Sequence, residues 1–197
     1  MLKRGFDVFA AFFGLLILSP FFLLVVLWIK LDSPGPAFFR QVRVGRFGVP
    51  FRIHKFRTMS TDSEREGRLT VGRDARVTRS GSFLRRFKID ELPQLIDVLL
   101  GKMSLVGPRP EVQEFIDCYD SVIREKVLSV RPGITDRASI EMVDENEILA
   151  KYDDPRKAYI EVILPIKQAY YLQYVKNHGL LVDIRIIFAT LFKILAR

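Results

Sequence analysis

Apolar and polar positions divide this chain into segments of very different character. From Val8 to Ile29 no charged residue occurs, and Leu, Ile, Val and Phe fill most places. A helix needs roughly 20 mainly apolar residues to cross a bilayer, so this run is just long enough to span. At its centre stands Ser19-Pro20. Proline has no N–H and leaves the carbonyl of Leu16 without its helical partner; the hydroxyl of Ser19 is placed to take that carbonyl over. Three readings compete. A cleaved signal peptide would need a shorter apolar core followed by a small-x-small site, and the sequence has neither. A straight span accounts for the length. A re-entrant helix-break-helix, entering one leaflet and returning, accounts for the proline, because halves of about ten residues cannot each cross roughly 30 Å of hydrocarbon. Flanking charge favours re-entry. Lys3 and Arg4 precede the run, and Lys30, Arg40, Arg43 and Arg46 follow it. Positive charge marks the cytoplasmic side of a membrane segment, and a straight span cannot keep both flanks there.

Beyond the turn signal Pro34-Gly35-Pro36, the stretches "FFRQVRVG" and "VPFRIHKF" alternate partly between apolar and basic residues around Gly45 and Gly48. They predict a small β-hairpin with one basic face. Residues 60–80 are polar and glycine-punctuated and read as a loop. "GSFLRRFKI" begins a helix with Ser82 as candidate cap. In "IDELPQLIDVLLG" the pattern predicts a helix capped by Asp90, with Glu91 and Pro93 in its first turn. Leu92, Leu95, Ile96, Leu99 and Leu100 form its apolar face, and Gly101 ends it. "VGPRP" is a rigid turn that directs Arg109. "QEFIDCYDSVIREKVLSV" reads as one helix stopped by "RPGIT", and residues 141–157 as a charged segment with a short helix. "YIEVILPIKQAYYLQYV" reads as a helix started or kinked at Pro165. "LVDIRIIFATLFKILAR" is amphipathic, with Arg185, Lys193 and Arg197 against Ile, Leu and Phe; it fits either a membrane interface or the packing face of a core.

Composition narrows the partners. Of 197 residues 49% are hydrophobic, yet the net charge is +8, which suits an anionic partner: nucleic acid, acidic lipid or a phosphorylated substrate. The hairpin's arginines and aromatics would fit nucleic acid, but no reading motif accompanies them and the apolar N-terminal run argues for a membrane instead, so no nucleic acid is expected. The one cysteine, Cys118, excludes an internal disulfide and fits a reducing compartment. No phosphate-binding glycine loop or nucleophile elbow is present. His54 and His178 stand alone in their segments and receive no role. What remains is Asp90-Glu91, surrounded in sequence by Arg73, Arg76, Arg79, Arg85, Arg86 and Lys88. As a helix cap the dyad would contribute roughly 1 kcal/mol. As chemistry, a carboxylate beside cations can attack a phosphorus held by them, and a diphosphate would bring Mg²⁺, which binds through few carboxylates plus phosphate oxygens.

The segments "KRGFDVFAAFFGLLILSP", "SPGPAFFRQVRVGRFGVPFRIHKFRTM", "IDELPQLIDVLLGKMSLVGPRPE" and "RPGIT" resemble the monotopic polyprenol-phosphate phosphoglycosyl transferases, also called bacterial sugar transferases, in their minimal catalytic form. The resemblance covers nearly the whole chain. It implies a mainly helical α+β fold: a re-entrant membrane helix over residues 1–31 in one leaflet, then a compact cytoplasmic catalytic part over 32–197 with interfacial amphipathic helices. It implies transfer of a phosphosugar from a UDP-sugar to undecaprenyl phosphate, releasing UMP, by ping-pong through a covalent phosphosugar-aspartate at the cytoplasmic face of the inner membrane. Asp90 would be the nucleophile and touch Mg²⁺, and Glu91 would help deprotonate the incoming polyprenol phosphate. Pro108, Arg109 and Pro110 would form one substrate-binding motif in which Arg109 binds the nucleotide, and Lys55 and Arg85 would hold phosphate. After "PGIT" this chain departs from the family. Val143 stands where an arginine is expected, with Arg137 as a substitute cation, and the sugar stays open. The other reading of the same features is a non-catalytic, membrane-anchored subunit of a polysaccharide assembly system.

Overall fold

A computed structural model describes residues 2–61, 69–72 and 74–196. Met1, residues 62–68, Arg73 and Arg197 lie outside the described residues, and with them part of the loop predicted over 60–80. Helix α1 covers Leu2–Asp32, with Ser19 and Pro20 inside it. The gap expected between two halves is therefore absent: the helix runs through the proline. The reason is local. Ser19 Oγ donates to the carbonyl of Leu16 at 2.9 Å and so supplies the bond that Pro20 cannot.

The flank of α1 that turns inward carries Asp7, Ala11, Val25 and Ile29, with Leu15, Leu18, Phe22 and Val26 half-buried between them. The other flank exposes Phe9, Phe12, Leu16, Ile17, Leu23 and Leu24. Both ends are tied to the rest of the chain. Near the N-terminus, Lys3 reaches Asp183 at 2.5 Å and Ser104 at 2.7 Å, Ser104 donates to Asp7 at 2.8 Å, and Arg4 donates to the carbonyl of Val98 at 2.8 Å. At the far end, Arg57 donates to the carbonyls of Ser33 and Pro34, and Asp32 accepts from the backbone N–H and hydroxyl of Ser80. Ser33 and Pro34 lie just past the helix, and Arg57 also reaches back to the carbonyl of Ile29 in its last turn at 3.4 Å, where a guanidinium complements the helix dipole.

The hairpin forms as two nested antiparallel ladders. Strands β1 (Phe38–Phe39) and β4 (Lys55–Phe56) pair outside β2 (Val42–Val44) and β3 (Pro50–Arg52). Helix α2 spans Arg79–Arg86, and its cap is Thr78, which accepts from Gly81 N, rather than Ser82. The stretch after it departs most from expectation. Ile89–Gln94 is a 3₁₀ turn, and α3 begins only at Leu95, ending at Leu99. Asp90 therefore caps nothing. With 3.0 residues per turn, the side chains of the dyad diverge by about 120°. The buried positions are Leu95, Asp97 and Val98, while Leu100 is exposed, so the apolar face is rotated from the predicted one. Gly101 does close the segment, at φ 77°.

A parallel pair, β5 (Ser104–Val106) with β6 (Gly133–Thr135), escaped prediction because its strands are short and distant in sequence. Glycine is required here: a Cβ on Gly133 would stand 2.1 Å from the backbone N of Gly107. The expected single helix between them is two, α4 (Gln113–Ile116) and α5 (Ser121–Leu128), separated where Asp120 caps the second. Three short helices follow: α6 (Arg137–Glu141), α7 (Glu145–Leu149) and α8 (Pro155–Ala158). A π turn at Tyr159–Ile163 leads into α9, Leu164–Asn177, and places Pro165 in that helix's first turn, where proline's missing N–H is tolerated. Helix α10, Leu180–Leu195, packs Ile186 beside Val106, Ile140 and Tyr174, but exposes Leu181, Phe188, Phe192 and Leu195. It therefore serves the core with one face and leaves a second apolar face uncovered.

Candidate active site

A cavity of about 1340 Å³ opens between the hairpin, α2, the 3₁₀ turn and the α6–α7 region. Its wall brings together Lys55, Arg85, Asp90, Glu91 and Arg109, which lie far apart in sequence. The hairpin supplies Lys55 through the β1–β4 ladder. The 3₁₀ turn supplies the dyad. Lys88, just before it, adopts the left-handed conformation at φ 56°, a strained backbone for a residue with a Cβ and one that gathers at functional sites.

Both carboxylates of the dyad are buried, at 7% and 6% exposure, yet they live in opposite surroundings. Glu91 Oε1 takes Lys55 Nζ at 2.7 Å and Arg109 Nη2 at 2.5 Å, and Oε2 takes Arg109 Nη1 at 3.2 Å. Burial pushes the Glu91 carboxyl up, but Arg109 and Lys55 outweigh burial and hold it well below the usual carboxylate range. In return Glu91 raises Arg109 well above its ordinary value, against burial. Asp90 Oδ1 has no hydrogen-bond partner. Burial and the Glu91 charge push its carboxyl up, with Lys55 opposing. Burial brings Lys55 down to about 8 in spite of Glu91. One carboxylate is thus neutralised in a fixed ion-pair fork, and its neighbour is left under-bonded on the cavity wall. A carboxylate held low is a weak base, so the geometry suits Glu91 to holding Lys55 and Arg109 in place rather than to taking a proton.

Arg85 donates to Thr58 Oγ1 at 2.9 Å and Thr70 Oγ1 at 3.1 Å and still lines the cavity. Pro108 and Pro110 face elsewhere. They border a small void beside Val44 and Tyr119, and their carbonyls accept from Gly133 N at 3.0 Å and Arg43 Nη1 at 3.1 Å. They fix the arginine between them without reaching the cavity themselves. Of the other cations near the dyad in sequence, Arg86 and Lys88 line the cavity, while Arg76 is engaged by Asp74 at 2.6 Å.

A family model for bacterial sugar transferases matches residues 1–197. The chain belongs to the bacterial sugar transferase family. Exopolysaccharide production protein PSS of Rhizobium leguminosarum bv. phaseoli is 41% identical, over 100% of this chain and 96% of its own. A UDP-N-acetylgalactosamine-undecaprenyl-phosphate N-acetylgalactosaminephosphotransferase of Aeromonas hydrophila is 41% identical over 98% of this chain and 44% of its own length. A UDP-glucose:undecaprenyl-phosphate glucose-1-phosphate transferase of Escherichia coli (strain K12) is 38% identical over 98% and 40%. The chain therefore spans less than half of these last two relatives, and their names carry different sugars.

This bacterial sugar transferase fills the sector of its departure with residues that the sequence did not advertise. Val143 lines the cavity, but Arg137 pairs with Glu141 at 2.5 Å and is half exposed, outside the lining. The cation that reaches this sector is Lys167 of α9, 5% exposed, bonded to Glu145 at 2.7 Å and to Tyr159 Oη at 3.2 Å. Its signal was a lone lysine inside an aromatic helical run. His54, given no role, is gripped by the fully buried Asp97, whose oxygens take the His54 N–H and Nδ1 at 2.8 Å each. That grip ties the residue beside Lys55 to α3.

Proposed function

We propose that this protein transfers a phosphosugar from a UDP-sugar to undecaprenyl phosphate, releasing UMP. The observation that carries the reading is the asymmetry of the dyad: an under-bonded Asp90 on the cavity wall beside a Glu91 locked between two cations. Asp90 attacks the β-phosphorus of the UDP-sugar, the bond to the bridging oxygen breaks, and UMP leaves. The phosphosugar is then on the carboxylate. The phosphate oxygen of undecaprenyl phosphate attacks the same phosphorus and returns Asp90 as the free carboxylate. Arg109, Lys55 and Arg85 neutralise the diphosphate and orient it in line.

Mg²⁺ fits this site. Among the described residues no three His, Cys, Asp or Glu are placed to hold a metal between them, but Mg²⁺ ordinarily binds proteins through one or two carboxylates and fills its remaining positions with phosphate oxygens and water. The partnerless Oδ1 of Asp90 is the oxygen available for it. When bound, the ion would neutralise charge on the diphosphate and the departing UMP.

The test is UMP release over a panel of UDP-sugars with undecaprenyl phosphate and Mg²⁺, and release with none of them would favour the non-catalytic reading. The same assay reads the charges. Asp90 must be ionised, so kcat/KM rises with pH through a value above the ordinary carboxylate range. Lys55 must be protonated, so kcat/KM falls above about pH 8. Lys55→Arg, cationic at all working pH, is expected to remove the alkaline fall.

We further propose that the protein is monotopic, with its cavity at the cytoplasmic face. A straight 31-residue helix is about 46 Å long and would carry its ends to opposite sides of the bilayer. The bonds from Lys3 and Arg4 at one end, and from Arg57 and Ser80 at the other, to a single folded unit support the alternative. In it α1 lies with one flank on protein and its Phe- and Leu-rich flank in one leaflet, joined by the exposed face of α10. Cysteine accessibility is expected to place both ends of α1 in the cytoplasm. Because α1 already runs unbroken through Pro20, Ser19-Pro20→Ala-Leu is expected to leave both ends cytoplasmic; a shift to a straight span would mean that the dipeptide, and not the terminal bonds, sets topology.

A further inference from the structure

A polyprenyl phosphate must bring its phosphate to Asp90 while its hydrocarbon stays out of water, so an apolar path has to leave a cavity whose centre is charged. Besides the single Met59, two groups of apolar residues line that cavity. One, Met142 and Val143, lies at the α6–α7 turn, where Met142 packs on the inner core. The other is Pro36, Phe38, Phe39 and Phe56 on the β1–β4 ladder. Its register is informative. Phe39 pairs with Lys55, whose Nζ bonds Glu91 beside the nucleophile, and the next pair is Phe38 with Phe56. The Phe38 and Phe56 rings stack at 5.3 Å and 22°, and Phe56 meets Phe22 of α1 edge-on at 5.2 Å and 89°. Phe22 is half-buried on the inward flank of α1, while its sequence neighbours Phe21 and Leu23, turned about 100° to either side, are exposed. Three rings thus stack from the cavity edge, beside the Phe39–Lys55 pair, to the inward flank of α1, a helix whose other flank is apolar and exposed. Phe56 is buried, but Phe38 stays 40% exposed at the cavity edge, so the stack has one open ring face.

We infer that Pro36 and Phe38, backed by the Phe56–Phe22 stack, form the groove that takes the first isoprene units of the polyprenyl phosphate as its chain leaves the cavity for the bilayer. This rests on the transfer reading above. An aromatic face suits an unsaturated, branched hydrocarbon, and the stack ends at α1, whose other, exposed flank offers apolar surface to the rest of the lipid chain.

Kinetics and photolabelling test it together. In detergent micelles, Phe38→Ala raises the KM for undecaprenyl phosphate on the order of tenfold relative to the KM for UDP-sugar, and Phe38→Leu recovers most of the loss. Farnesyl phosphate, which reaches the groove, shows the same ratio, whereas dimethylallyl phosphate, which ends at its entrance, does not. Equal KM ratios for Phe38→Ala and wild type, or a variant whose defect is loss of flotation with vesicles lacking undecaprenyl phosphate, would overturn the inference; the second outcome makes Phe38 a bilayer anchor. A photoreactive farnesyl phosphate needs no turnover. Labelling of the peptide containing residues 36–39 in wild type, suppressed by excess undecaprenyl phosphate, supports the groove even if every UDP-sugar fails. Labelling elsewhere sinks it even if transfer is active.

Discussion

Asp90→Asn is expected to lower UMP release by at least about a thousandfold, with UDP-sugar still bound. An amide nitrogen or oxygen cannot form the acyl-phosphate, and loss of a covalent nucleophile removes a whole route rather than one stabilising contact. The substitution is isosteric, and Oδ1 of Asp90 has no hydrogen-bond partner to lose, so the fold is expected to keep its thermal midpoint. Burial raises the Asp90 carboxyl, which means that the native state holds this charge at a cost; the neutral amide is therefore neutral to slightly stabilising in thermal unfolding. Incubation with a labelled UDP-sugar and no acceptor is expected to leave label on wild type and none on the variant. Wild-type rates from Asp90→Asn would remove the covalent role.

Glu91→Gln is expected to be damaging for the opposite reason. Glu91 is the shared counter-ion of Lys55 and Arg109, and removing one partner of a buried ion pair commonly costs about 3–5 kcal/mol, because the other charges stay buried without compensation. The site answers that loss by losing a proton. Glu91 raises Lys55 against burial, so without it Lys55 titrates below about 8 and the alkaline fall of kcat/KM moves toward neutrality. Urea unfolding and the pH–rate profile measured on the same variant check both parts. A variant of unchanged stability with an unmoved alkaline limb would mean that the fork is not what holds Lys55 charged.

How much of this was legible beforehand depended on the range of the interaction. The Ser19 rescue of Leu16, the hairpin and the Gly101 stop are local, and each follows from residues within a few positions. The dyad's residues could be named, but not their division of labour. That division comes from a 3₁₀ turn where helix was predicted, and from cations contributed by residues 55 and 109. Lys167 and the His54–Asp97 grip were missed because the spacing of a buried charge does not reveal its partner. Of the motif Pro108, Arg109 and Pro110, only the arginine lines the cavity, because the two prolines turn their carbonyls to Gly133 and Arg43.

The bond between Lys3 and Asp183 joins residues 180 positions apart. A ribosome adds roughly 5–20 residues per second, so the first turn of α1 emerges about ten seconds or more before its partner on α10. During that interval the first turn already has its nearer partners, Val98 and Ser104, but not the carboxylate on α10. Contacts between residues far apart in sequence close more slowly than local ones. The start of α1 is therefore fastened in stages: first to Asp7 within the helix, then to Val98 and Ser104, and last by the shorter ion pair to Asp183.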